Sequence, residues 1–186
     1  MKLHFPIILL ICLCFSACIV IDSPSKRTYD NLEDAQKSKV VFNQQELCKQ
    51  KNKQLIYAVN AEQLKSCLAQ YPKSIIYTWL PRCKSDFCVP LSFFVNQCVE
   101  KGYHPVVITD YLLFPEILDM NNTEEPVFVA DNKYYNIQKP RTLKDQFIFD
   151  LIQRKPKNNK DTLSWYRYYM FEKEKFVKVI RDIKNL

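Results

Sequence analysis

Residues 74–94 read SIIYTWLPRCKSDFCVPLSFF, and the pattern changes period midway. Ser74 to Trp79 is a β-branched and aromatic run, as expected for a buried strand. Pro81 follows, then Cys83 and Cys88, five residues apart. Leu91 and Phe94 open a helical face that continues through Val95 and Cys98. That face stops at Gly102, the only glycine in the chain and a good residue just past a helix end. PVVITD, residues 105–110, is strand-like again. Strand, loop, helix and strand in this order predict a βαβ unit with parallel neighbours.

The same alternation extends in both directions. LIYAV (55–59) reads as a short strand, and Asn60 with Gln63 forms a capping-box pair ahead of Leu64, Cys67, Leu68 and Tyr71 at helical spacing. On the other side come a short helix near 115–120, a strand in EPVFVAD (125–131) and an amphipathic stretch with Leu143, Phe147, Ile148 and Leu151. YRYYMF (166–171), a turn at EKEK and FVKVI (176–180) read as a terminal hairpin. The expected fold class is α/β, a central mixed sheet flanked by helices with a C-terminal β-hairpin.

Composition bounds the chemistry. The 186 residues, 47% apolar and 25% charged, suit one folded domain. One glycine cannot build a phosphate-cradling loop, which excludes P-loop and dinucleotide-fingerprint enzymes. Two histidines, His4 and His104, leave almost no material for a histidine-rich zinc site or a Ser/His/Asp triad. No cofactor is called for. The net charge of +7 is spread along the chain, and its densest run, RKPKNNK (154–160), reads as a solvated loop, so nucleic acid is not expected as a partner.

Eight cysteines are the unusual feature. Three fall near the N-terminus, where Lys2 precedes an apolar run from Phe5 to Phe15, and Ser16 and Ala17 stand directly before Cys18. A run this short points to an export signal, since a membrane span takes about 20 apolar residues. FSAC resembles the lipobox of bacterial lipoprotein signal peptides. That resemblance implies cleavage after residue 17, acylation of Cys18 and anchoring of the chain in the bacterial cell envelope, on the periplasmic face or the outer membrane. The polar residues 18–45 are expected to form a tether and residues 46–186 the folded domain. Outside the cytosol thiols oxidise and stay oxidised. Of Cys48, Cys67, Cys83, Cys88 and Cys98, one must remain unpaired. Cys67 and Cys98 fall on apolar helix faces and are expected to be buried small hydrophobes, and His104 a surface turn residue.

Strand, Trp79, a cysteine pair before a helix and a further strand together resemble thioredoxin-like proteins, notably the membrane-anchored thiol-disulfide oxidoreductases of the bacterial envelope. The resemblance covers residues 54–182 in topology. It implies thiol-disulfide exchange with envelope proteins that carry thiols or disulfides, with Cys83 attacking and Cys88 resolving. The chain departs from the family in two respects: CxxxxC replaces CxxC, and no proline precedes the hairpin strand where thioredoxins place a cis-proline. Residues five apart on a helix lie about 140° apart, so Cys83 must sit in the loop ahead of the helix for a bond to close. Ser85 and Asp86 are candidate N-caps. A helix N-terminus together with Arg82 and Lys84 would favour a thiolate.

Two other readings use the same residues. Pro81, Ser85 and Cys88 form PxxxSxxC, similar to the peroxidatic motif of peroxiredoxins. Arg167 then stands where those enzymes place the arginine that orients peroxide, and Cys88 attacks while Cys83 resolves. Alternatively the cysteines form a structural disulfide in a non-catalytic binding lipoprotein. The candidate site is thus Cys83 and Cys88, with Arg82, Lys84, Ser85 and Arg167 as candidate thiolate-stabilising neighbours.

Overall fold

Strand β3, Lys73–Trp79, is buried from Ser74 onward and lies in the interior of the sheet. The structure, a computed structural model, describes residues 28–44, 46–158 and 161–186. The other strands are β1 (Val40–Val41), β2 (Ile56–Val59), β4 (His104–Thr109), β5 (Val127–Ala130), β6 (Tyr168–Glu172) and β7 (Lys175–Ile180). They form one mixed sheet in the order β1-β2-β5-β4-β3-β6-β7. The first five of that order pair in parallel, and the terminal hairpin adds β6 and β7 antiparallel.

Helices cover both faces, which is why the parallel strands read as continuous apolar runs. Helices α2 (Ala61–Leu68) and α6 (Pro140–Leu151) bury Leu64, Leu68, Phe147 and Ile148 against Tyr57, Ile76 and Tyr169. Helices α3 (Leu91–Glu100) and α4 (Glu116–Met120) bury Phe94 and Ile117 with Ile75, Tyr77, Val107 and Tyr168. Two further short helices, α1 (Asp34–Lys37) and α5 (Asn132–Tyr135), complete the set. The capping box ahead of α2 forms in both directions: the Asn60 side chain accepts from the Gln63 N–H and Gln63 Oε1 accepts from the Asn60 N–H, each at 2.9 Å. Gly102 follows α3 at φ 74°, the left-handed position its sequence context implied.

The expected tether reaches too far. Val40 and Val41 pair with Ile56 and Tyr57 as an edge strand, and Leu32 and Val40 are buried. Charge and polarity dominate residues 22–40, but these apolar side chains cover a sheet edge that would otherwise stand open. The expected export signal, Cys12, Cys14 and the expected acylation site Cys18 lie outside the described residues. Among the described residues no helix is long and apolar enough to cross a membrane.

Candidate functional site

The chain leaves β3 at Trp79 and does not become helical until Leu91, with Pro90 as N-cap. Both cysteines therefore lie in the intervening loop, and Ser85 and Asp86 do not cap the helix as the sequence led us to expect. Pro90 explains the difference: it cannot donate an amide to an earlier carbonyl, so the helix starts at it and not ahead of it. Cys83 and Cys88 are joined by a disulfide with their Cα atoms 6.0 Å apart. Two turns close the loop, the Cys83 N–H donating to the Leu80 carbonyl at 3.2 Å and the Cys88 N–H to the Ser85 carbonyl at 2.9 Å. The cysteines are half-buried, whereas Arg82, Lys84, Ser85, Asp86 and Phe87 between and beside them are exposed.

The flanks of Cys88 are anchored from the sheet. Tyr77 Oη donates to the Val89 carbonyl at 3.1 Å and accepts from the Val89 N–H at 3.2 Å. Tyr168 Oη donates to the Phe87 carbonyl at 2.8 Å. The two rings stack with centroids 4.8 Å apart, on neighbouring strands. Burial pushes both phenols up, so they stay protonated donors. Cys83 has a looser flank: Arg82 adopts a left-handed φ of 59° and reaches Glu116 Oε1 at 3.2 Å from an exposed side chain.

Of the expected neighbours, Arg82 is turned to Glu116, and the Ser85 hydroxyl accepts from the Phe87 N–H at 3.4 Å, a local turn contact. Arg167 Nη1 donates to the Thr78 carbonyl at 3.0 Å and to Asp110 Oδ2 at 3.1 Å. Its charge is committed to a buried carboxylate at the end of β4, which Lys144 also approaches at 3.9 Å. Sequence reasoning missed Tyr77, Tyr168 and Asp110. A signal for the tyrosines existed, since a hydroxyl inside an otherwise apolar strand must find a partner.

Opposite this loop, at the N-terminal ends of β4 and β5, Cys48 and Cys67 form a second disulfide with Cα atoms 5.2 Å apart. Cys67 is buried as expected, but it is a bonding partner and not a lone small hydrophobe. The 3-10 turn Leu47–Lys49 packs on α2 and brings Cys48 to it. A cavity of about 310 Å³ adjoins this bond, lined among others by Tyr71, His104 and Glu125. His104 is not a plain surface residue: its ring stacks on Tyr71 at 3.5 Å, and burial lowers its pKa to about 4. Cys98 is the unpaired cysteine among the described residues, buried, with its thiol pushed up to about 12 by loss of solvent. No group of three or more His, Cys, Asp or Glu side chains among the described residues is placed to hold a metal ion.

The chain matches no protein-family model, and no curated protein or solved structure matches it. The functional reading therefore rests on the site's own chemistry.

Proposed function

We propose that this is a lipid-anchored, thioredoxin-like protein of the bacterial envelope that exchanges thiols and disulfides with envelope proteins through Cys83 and Cys88. The observation that carries the reading is the bonded pair on the loop where the central strand gives way to a helix, with both sulfur-bearing residues partly open to solvent. Anchoring through Cys18 belongs to the proposal as well. The thioredoxin-like topology is supported by a cysteine loop that follows the strand lying beside the antiparallel hairpin.

In the exchange, a client thiolate attacks Cys83 Sγ, the Cys83–Cys88 bond breaks and Cys88 departs as a thiolate. A second client thiolate then attacks the client sulfur of the mixed disulfide and releases Cys83. The client loses two electrons to the cysteine pair, and the reverse sequence reduces a client disulfide. Assigning attack to Cys83 is supported by the asymmetry of the loop: the residues on both sides of Cys88 are tied to Tyr77 and Tyr168, whereas Cys83 follows the exposed Arg82. A Cys88→Ser variant should trap mixed disulfides through Cys83 under mild oxidation. Recovering none overturns the reading.

A second reading, a non-catalytic binding lipoprotein with a structural disulfide, is favoured by the start of α3 beyond Cys88, which keeps both sulfurs off the helix N-terminus. Replacing Cys83 and Cys88 together by serine would then leave function intact. The peroxidase reading loses its arginine, because the Arg167 Nη1 contacts are to Thr78 and Asp110.

A further inference from the structure

A groove of about 480 Å³ runs between the cysteine loop and the segment leading into β6. Ser85 and Phe87 line one side, and Trp165, Tyr166, Arg167 and Arg181 the other. Phe87 is 62% and Trp165 52% exposed, whereas the other tryptophan, Trp79, is 4% exposed. Large rings left in solvent around one concavity mark a surface that binds. The lining holds two cations and no carboxylate among the described residues: Arg181, and Arg167, which is already paired with Asp110 behind it. Arg141, outside the lining, stacks its guanidinium on the Trp165 ring, the central carbon 4.8 Å from the ring centre.

Three carboxylates, Asp86, Asp161 and Asp182, stand near the groove in sequence and outside its lining. Asp161 accepts from Arg154 and from the N–H groups of Lys157 and Leu163. Asp182 accepts from the Lys184 N–H and the Asn185 amide. Asp86, exposed on the cysteine loop, lies outside the lining. Arginines over an apolar floor complement a ligand with the opposite charge and an apolar side chain. A second copy of the chain, net charge +7, fits poorly.

We infer that this groove docks an extended acidic segment of a partner polypeptide, seating an apolar or aromatic side chain between Phe87 and Trp165 and its carboxylates toward Arg181. The inference deepens the redox reading, because the docked segment would lie along the loop that carries Cys83 and Cys88, yet docking itself needs no sulfur chemistry.

The test uses cysteine-free peptides of about twelve residues that alternate glutamate with leucine and phenylalanine, against the same peptides with lysine in place of glutamate. Trp165 fluorescence reports binding to the full chain. The acidic peptide should saturate the signal, bind about tenfold or more tightly than the lysine peptide, and weaken as salt rises. Arg181→Glu and, separately, Phe87→Ser should each weaken it about tenfold while circular dichroism stays unchanged, and Arg181→Glu should leave the rate of Cys83–Cys88 reduction by dithiothreitol unchanged. Equal binding of both peptides, undiminished binding by both variants, or burial of Trp165 in a concentration-dependent dimer overturns the inference. Peptide binding without mixed disulfides in Cys88→Ser would remove the redox reading and leave the groove standing. Mixed disulfides without peptide binding would do the converse.

Discussion

The hydroxyl of Tyr168 donates to the carbonyl of Phe87 at 2.8 Å, so the hairpin holds the cysteine loop one residue ahead of Cys88. With Tyr77 on Val89, the sheet grips the backbone on both sides of one sulfur and leaves the other sulfur's approach exposed.

Tyr168→Phe keeps the ring stack and loses the hydrogen bond to the Phe87 carbonyl. A hydrogen bond between neutral groups contributes about 1 kcal/mol net, and urea unfolding should show a loss of that size. The freed loop should be reduced several-fold faster by dithiothreitol. An unchanged reduction rate would show that the Tyr168 contact does not restrain the disulfide.

Tyr77→Phe should be the costlier change. It strips Val89 of both a donor and an acceptor, and Val89 is 7% exposed, so water replaces them poorly. We expect about 2–3 kcal/mol of lost stability. A loss no larger than that of Tyr168→Phe contradicts the assignment.

Arg167→Met leaves Asp110, with a side chain 7% exposed, without its closest cation. Breaking a buried pair from one side costs about 3 kcal/mol, and the double variant Arg167→Met/Asp110→Asn should recover part of it. Additive losses in the double-mutant cycle would mean the two residues do not act together.

His104 should make stability depend on pH. Its folded pKa, about 4, lies below the ordinary value of 6.5, so the unfolded chain takes up the proton first. Stability is full above about 6.5 and falls as pH drops toward 4, with a slope of at most about 1.4 kcal/mol per pH unit. His104→Phe keeps the stack on Tyr71 and should flatten that part of the curve. A curve identical to the parent's removes His104 as the cause.

The two disulfides should differ in their effect on stability. They close separations of 19 residues for Cys48–Cys67 and 5 for Cys83–Cys88. By loop-closure entropy the first contributes about 3 kcal/mol and the second about 2 kcal/mol. Denaturation of the two paired Cys→Ser variants measures the difference. A larger loss at Cys83/Cys88 would assign that pair a structural role.

Order and type of the longer elements were legible because their signals are local, whereas β1, α1 and α5, two to four residues each, left no such signal. Asn60 and Gln63 cap a helix three residues apart, and β3 is buried on both faces and so carries Ile75, Ile76, Tyr77 and Trp79 with no charge after Lys73. Residues far apart in sequence were not legible. Parity required one odd cysteine, but only the packing of the Leu47–Lys49 turn on α2 selects Cys48 for Cys67 and leaves Cys98 alone. Arg167 stands one residue ahead of β6, and its partner Asp110 lies 57 residues away, a distance no local pattern encodes.

By itself, then, the sequence determined the alternating elements, the terminal hairpin and the pair of cysteines ahead of a helix, since these follow from residue periodicity, capping and the backbone limits of proline and glycine. The tertiary structure alone decided which cysteines bond, which tyrosines hold the loop and which arginines face a groove, because such contacts depend on how strands distant along the chain stack in one sheet.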